Sequence, residues 1–313
     1  MDYATPRGAA RAVDHVSFSI NRGEVFGLAG ESGCGKSTVA HAIMRLIKPP
    51  GEITSGRIVF QGRDLLKLSG RQMRELRWGE ISIVFQSAMN SLNPVISLGA
   101  QLRDAIRAHE KMSGGQAQER AAELFELVGL SPDRLSSFSH QLSGGMRQRA
   151  VIAMALALNP ALIIMDEPTT ALDVVVQRDI LQQIEDLQRT FGFSILFITH
   201  DLSLLVEFST RIAVMYAAKI VELAPASRLH DRPMHPYTVG LMNSFPSVKG
   251  DQRQLQGIPG TPPDLVSPPP GCRFHSRCPH CTMENADLYR AQTEVEPVLR
   301  ELEPGHYVAC HLY

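Results

Sequence analysis

The stretch Gly30-Glu31-Ser32-Gly33-Cys34-Gly35-Lys36-Ser37-Thr38 constrains this chain more than any other. The apolar run Glu24 to Ala29 before it reads as a buried strand, and Val39 to Ile47 after it carries apolar residues at helical spacing. A strand, a glycine-rich turn and a helix opening on Gly-Lys-Ser form a phosphate-binding loop. Its glycines let successive backbone N–H groups turn inward around an anion, and the helix N-terminus adds its positive dipole end. From such a loop Lys36 reaches the β- and γ-phosphates, while the Ser37 hydroxyl joins the shell of a magnesium ion. Cys34 is expected to be a small residue packed into the turn. The pattern points to a nucleoside triphosphate as ligand.

A chain of 313 residues holds one large α/β domain and a smaller appendage. Its 44% hydrophobic content supplies a core, and its net charge of −1 argues against a broad basic surface for nucleic acid. No apolar run approaches the roughly 20 residues that span a bilayer. The longest, Ala150 to Leu158, is broken by Asn159-Pro160. The start has no charged region followed by an apolar segment, so no secretory signal is expected.

In chain order, Ala4 to Gly8 reads as a turn and Ala12 to Ile20 alternates like a strand. Pro49-Pro50-Gly51 stops the first helix. Gly56 to Phe60 and Ile81 to Phe85 read as further strands, the second closed by Gln86 and the polar loop Ser87 to Pro94. The pattern is mostly helical from Ile96 to about Leu135, and a long apolar helix runs to Leu158. Ala161 to Asp166 is a continuous apolar run ending in acid, as a central parallel strand would be. Val174 to Arg189 has Ile180, Leu181, Ile184 and Leu187 on one helical face, and Ser194 to Thr199 is a strand ending at His200. Strands alternating with helices imply a mostly parallel sheet covered on both faces. After Pro225 proline and glycine become frequent, which places a boundary near residue 230 and a loop-rich appendage beyond it.

Asp166-Glu167 ends a buried strand. The first acid suits a magnesium shell, and the second suits polarising an attacking water. His200, also at a strand end, is placed to reach the γ-phosphate or to hold that water and Glu167. Gln86 is a further magnesium and water contact. Leu142-Ser143-Gly144-Gly145-Met146-Arg147-Gln148-Arg149 offers a hydroxyl and backbone N–H groups to phosphate at a helix start. One chain already has its phosphate loop, so this second set needs another nucleotide or a partner's. Arg71, Arg74 and Arg77 read as a solvated helix face rather than an anion site.

The set resembles the ATP-binding subunit of an ATP-binding-cassette (ABC) transporter. The phosphate loop, Gln86, Leu142-Ser143-Gly144-Gly145, Asp166-Glu167, Ala171-Leu172-Asp173 and His200 stand in family order over residues 3 to about 225. Phe85 to Pro94, His140 to Arg149, Glu167 to Asp173, His235-Pro236-Tyr237-Thr238, Ile258-Pro259-Gly260 and Gly271 to Pro279 are similar to the oligopeptide/dipeptide permease ATPases. The resemblance implies a P-loop α/β cassette over 1–230. It would have a parallel RecA-like core, an antiparallel β subdomain and a helical subdomain at about 88–158, with a C-terminal domain of the oligopeptide-transporter type at 231–313. It implies ATP and Mg²⁺ as cofactors, with the loop residues Gly30, Ser32, Gly33, Cys34, Gly35, Lys36, Ser37 and Thr38 on the phosphates, and Ser37, Gln86 and Asp166 on Mg²⁺. Glu167, His200 and Gln86 would be the catalytic set, and Tyr3 would stack on adenine. Ser143, Gly144 and Gly145 would close over the ATP of a second cassette in a head-to-tail dimer lined by Asp173.

Expected partners are a second ABC ATPase (a heterodimer, with a homodimer as the alternative), two integral-membrane permease subunits and, indirectly, an extracytoplasmic substrate-binding protein, with no nucleic acid. The implied role is energising peptide import from the cytoplasmic face of a bacterial membrane. Nickel or oligosaccharide import, or a soluble ATPase remodelling a non-membrane partner, are the alternatives. The family has a further strand ahead of the position of Tyr3, so the start is expected to be trimmed, and Val175 replaces an often polar residue.

Cys272, Cys278, Cys281 and Cys310 form the usual thiolate set for an iron–sulfur cluster or structural zinc. The resemblance implies a [4Fe-4S] cluster. The third family cysteine falls nearer Asn285, however, so Cys278-Pro279-His280-Cys281 also reads as a zinc site, with His275, His280, His306 or His311 as substitute ligands. Buried thiols without a metal are the remaining reading.

Overall fold

The computed structural model describes residues 1–86, 91–170, 172–244 and 257–313. Ser87 to Asn90 and Ala171, which belong to motifs quoted above, lie outside the described residues. The chain divides into two compact units, one of residues 1–19, 25–58 and 198–313, the other of residues 20–24 and 59–197.

In the first unit the strand Val25–Ala29 is buried at every position, as a sheet covered on both faces requires. It pairs in parallel with Arg211–Tyr216, from Arg211 opposite Phe26 to Val214 opposite Ala29. Gly27 admits the helix Leu202–Phe208 onto this strand: a Cβ there would lie 2.8 Å from Ser209 Oγ and 3.0 Å from Leu205 Cδ2. Lys219–Pro225 adds antiparallel on the other side of Arg211–Tyr216. The C-terminal segment then departs from a purely loop-rich expectation. Arg300–Glu303 and His306–Val308 form a hairpin around Gly305, and its second strand pairs with Glu222 and Leu223 of the same sheet. The appendage is thus built onto the sheet that carries the phosphate loop.

A smaller antiparallel sheet joins Asp2–Thr5 to Gly8–Arg11 and to Gly51–Glu52. Its hairpin uses the expected turn, where the Thr5 hydroxyl donates to the Gly8 carbonyl. The strand expected at Ala12 to Ile20 is absent. Ala12 and Val13 donate to the Met1 carbonyl, Asp14 donates its N–H to Ala218, and His15 adopts φ 50. A long-range ionic hub prevails over local alternation. The Asp14 carboxylate is 5% exposed and ion-pairs with Arg273, with Lys219 at 3.3 Å and with Arg11 at 3.5 Å.

In the second unit, Ser194–Thr199 (to residue 197), Leu162–Asp166 and Ile81–Val84 lie side by side in that order. The last two run parallel, from Ile81 opposite Leu162 to Val84 opposite Met165. Ile163, Ile164, Ile195 and Phe197 have no exposed surface; burying each such side chain contributes about 1.5–3 kcal/mol. Ile180, Leu181, Ile184 and Leu187 are the buried face of the helix Val174–Phe191, as their spacing predicts. The helical stretch expected over 96–135 is interrupted. Leu98–His109 ends before Ser113, whose side chain and Gln116 form a capping box that starts Gly114–Leu127. Only Val59–Phe60 of the strand expected at Gly56 to Phe60 forms, paired with Arg63–Asp64. Arg71 makes an exposed pair with Glu75, which bears out the solvated reading of that helix.

The ionic hub makes a pH prediction. Burial raises the Asp14 pKa, but the His15 hydrogen bond and the charges of Lys219 and Arg273 outweigh it and bring the carboxyl down to about 2. A depressed carboxyl stabilises the fold above its unfolded value and stops doing so as pH falls through its folded value. Asp14→Asn should therefore lower the urea midpoint at pH 6 to 7, and the gap to the unmodified protein should close between about pH 4 and pH 2.

Candidate active site

The phosphate loop is shaped by two glycines that nothing else can replace. Gly30 adopts φ 147, and a Cβ on it would come 2.2 Å from the Met215 carbonyl oxygen. Gly35 adopts φ 110, and a Cβ there would lie 2.0 Å from the Ala12 oxygen. Gly33, at φ 80, faces open space. The helix Lys36–Ile43 begins at Gly35 with no side-chain cap and no acid in its first turn, which leaves its N-terminal N–H groups available to an anion. Lys36 is 5% exposed and folds back across the loop, donating to the Gly30 carbonyl at 2.6 Å and the Glu31 carbonyl at 3.0 Å. Cys34 is buried as expected, and burial pushes its thiol pKa up. Ser32 is exposed, and Ser37 and Thr38 are half-buried in the first turn. Tyr3 is half-buried in the small sheet, where its ring lies against Gly51. His200 follows the strand Ser194–Thr199 and is exposed.

In the second unit, Asp166 is buried at the end of Leu162–Asp166, and Glu167 turns the chain with φ 47. A non-glycine residue in that region is held there against strain, a feature that concentrates at functional sites. The Glu167 carboxylate accepts from Gln86 Nε2 and from the Thr170 hydroxyl, both at 3.1 Å. Two residues that the sequence reading grouped by motif order, Gln86 and Glu167, are thus in direct contact. Ser143 is exposed and caps the helix Gly144–Leu156, accepting from the Met146 N–H at 3.3 Å. Gly144 and Gly145 form that helix's first turn. A Cβ on Gly145 would meet Val176 Cγ1 at 2.7 Å. Asp173 caps the helix Val174–Phe191 through the Val176 N–H.

The four C-terminal cysteines form no disulfide. Burial raises the Cys272 pKa to about 12. The donor chemistry suits a thiophilic metal. Among the described residues, however, no three His, Cys, Asp or Glu side chains converge as a metal-holding group. His275, His306 and His311 have other partners: the Cys272 carbonyl, Glu222 and the Val295 carbonyl.

Sequence reasoning passed over Glu31, Tyr237 and Arg277. Arg277 binds Glu31 across 246 positions, and no local pattern encodes that distance. The available hint was an arginine recurring four residues after Arg273 in a block otherwise rich in loop residues.

A strand, a glycine cradle and an uncapped helix that starts on Lys36 define a P-loop nucleotide-binding protein. The family model described as ABC transporter matches residues 13–170, and that described as oligopeptide/dipeptide transporter, C-terminal region, matches residues 221–284. The chain belongs to the ATP-binding subunits of ABC transporters, in the branch that carries the oligopeptide/dipeptide C-terminal region, and it is an ATPase. It is 47% identical to a probable peptide ABC transporter ATP-binding protein of Sinorhizobium fredii, over 96% of this chain and 89% of that one. It is 45% identical to the dipeptide transport ATP-binding protein of Bacillus subtilis, over 94% and 88% of the two chains. A dimeric bacterial ABC transporter cassette superposes with a TM-score of 0.65 at 29% identity, covering 72% of this chain and 95% of that one. The cassette fold expected from the sequence is the fold observed. Among the described residues, no helix is long and apolar enough to cross a membrane.

Gly35→Ala should weaken ATP binding at least about tenfold and lower the melting temperature, at a cost of about 1–3 kcal/mol. Gly33→Ala, which meets no atom within 4 Å, should lower the melting temperature less. Parallel thermal melts and ATP titrations check both.

Proposed function

We propose that this chain is the ATP-hydrolysing subunit of a bacterial importer for peptides. The carrying observation is Glu167, a carboxylate in a left-handed turn at the end of a wholly buried strand, held from two sides by Gln86 and Thr170. A carboxylate so fixed polarises water for in-line attack on the γ-phosphorus of ATP; the bond to the β–γ bridging oxygen breaks, and ADP leaves. Lys36 and the amides of Gly30, Ser32, Gly33, Cys34, Gly35 and Thr38 grip the phosphates. Ser37, Gln86 and Asp166 would hold Mg²⁺, which supplies charge neutralisation on the phosphate oxygens when bound. His200 holds the water and the terminal phosphate, and Tyr3 stacks on the adenine.

The exposed Ser143 and the amides of Gly144 and Gly145 have the chemistry of a second phosphate site. One chain has one phosphate loop, so we assign them to the ATP of a partner cassette, with Asp173 along the shared face. A related cassette has been solved as a dimer in a post-hydrolysis state with ADP and phosphate, which supports this reading. Peptides are the proposed cargo because several relatives are dipeptide or oligopeptide transport ATP-binding proteins. The partners that follow are two permease subunits, an external binding protein and a second ATPase, and the chain would sit peripherally on the cytoplasmic face of the membrane. The thiols of Cys272, Cys278, Cys281 and Cys310 have the donor chemistry of a [4Fe-4S] cluster or zinc, although they do not converge as a metal-holding group among the described residues; such a group, if bound, would link the cysteine block to the C-terminal strand pair.

Glu167→Gln should lower phosphate release at least about a hundredfold in the assembled transporter while leaving ATP affinity within about threefold. Turnover like that of the unmodified protein would remove the assignment. Protein purified without oxygen should contain about four irons per chain with absorbance near 400 nm, or about one zinc with none. Neither metal at stoichiometric level would leave the cysteines as thiols without a metal.

A further inference from the structure

Glu31 is the one phosphate-loop residue held by groups from outside the loop at both its backbone and its side chain. Its N–H donates to the Tyr237 hydroxyl at 2.8 Å. Its carbonyl accepts from Lys36 at 3.0 Å and from the Cys34 N–H at 3.3 Å. Its carboxylate takes a bidentate fork from Arg277, at 2.8 Å and 3.0 Å. Both external partners come from the C-terminal appendage.

Neither partner is an incidental surface contact. The Arg277 side chain is 4% exposed, and Tyr237 has no exposed surface. Arg277 Nε donates to the Pro259 carbonyl at 2.7 Å, and Nη1 donates to the Tyr216 hydroxyl at 3.3 Å. Its guanidinium stacks 5.7 Å from the Tyr216 ring and 5.9 Å from the Phe274 ring. Tyr237 lies in the first turn of the helix Pro236–Asn243, which His235 caps by accepting the Tyr237 N–H at 3.0 Å. His235 and Met234 in turn donate their N–H groups to the buried Glu222. A planar fork locked at every nitrogen fixes a carboxylate in both position and orientation, which a lysine cannot do.

Two consequences for the site follow. A loop held at Glu31 keeps its carbonyls where Lys36 finds them, so less ordering remains to be done when phosphate arrives. The loop also carries a carboxylate next to its anion cradle, and that charge would oppose ATP unless it were neutralised. Arg277 neutralises it.

We propose that Arg277 and Tyr237 are positioning residues for the phosphate loop: they hold Glu31 in place, keep the cradle preformed and cancel its one negative charge. The inference rests on the ATP-binding role of this loop and adds to it a function for the appendage. The appendage tunes nucleotide affinity within its own chain.

The test is calorimetric titration of the full chain with MgATP, together with the KM for ATP and kcat of the assembled transporter. Arg277→Met should raise the dissociation constant and KM about tenfold and leave kcat at saturating ATP within about twofold, because the bound loop is the same once formed. Arg277→Lys, which keeps the charge without the fork, should fall between. Adding Glu31→Gln to Arg277→Met should recover most of the loss, since no unopposed carboxylate then faces the phosphates. Tyr237→Phe, which deletes one hydroxyl, should raise the dissociation constant about threefold to tenfold, and it carries the test if Arg277→Met does not fold. MgATP affinity within twofold of the unmodified protein in folded Arg277→Met and Tyr237→Phe would overturn the proposal and leave the pair as anchors of the appendage. A double variant no better than Arg277→Met would overturn the charge-cancelling part. Failure of the unmodified chain to bind MgATP would instead overturn the phosphate-loop reading beneath it.

Discussion

A loop that turns its amides inward exists only where the backbone can take conformations closed to residues with a Cβ, and the rest of this molecule is built around that condition. Gly30 and Gly35 approach the Met215 and Ala12 carbonyls so closely that no side chain fits. Both neighbours belong to segments that are themselves pinned. Met215 is itself fully buried in the strand Arg211–Tyr216 beside Val25–Ala29, and Ala12 is tied to Met1 by its N–H. The cradle is therefore rigid because its walls are main chain, and an anion meets amides already in place.

The acidic strand applies the same logic to the chemistry. Leu162–Asp166 is buried throughout, so its end is a fixed point from which Glu167 can be aimed. Tolerating φ 47 at that residue costs backbone energy, and the hydrogen bonds from Gln86 and Thr170 show where the strained turn directs its carboxylate. At Glu167 the strain falls where orientation matters, and the strands Leu162–Asp166 and Ile81–Val84 beside it pair without a register shift.

Much of this was legible in the sequence because its causes are local. The buried strands at Val25–Ala29 and Leu162–Asp166 are continuous apolar runs. The helix Val174–Phe191 has its apolar residues at the right spacing and an aspartate in the right place to cap it. The glycine cradle announces itself because it is contiguous. What escaped is what depends on distant partners. The alternation at Ala12 to Ile20 was a misleading strand signal, because Asp14 is drawn to Arg273, 259 positions away. The C-terminal hairpin was hidden by short strands in a proline-rich context, and its pairing with Glu222 and Leu223 has no local signature. The grip of Arg277 and Tyr237 on Glu31 belongs to the same class. Its partners read separately as a phosphate-loop residue, an arginine of the cysteine block and part of a family-like motif in the appendage.

The loop binds the phosphate chain of a nucleotide rather than its base or sugar, and every role assigned to the site depends on that. Calorimetry of the full chain with magnesium and, in turn, ATP, ADP and AMP tests this most directly, because only the first two place a β-phosphate within reach of Lys36. ATP and ADP should bind at least about a hundredfold more tightly than AMP. Equal affinity for all three would contradict it.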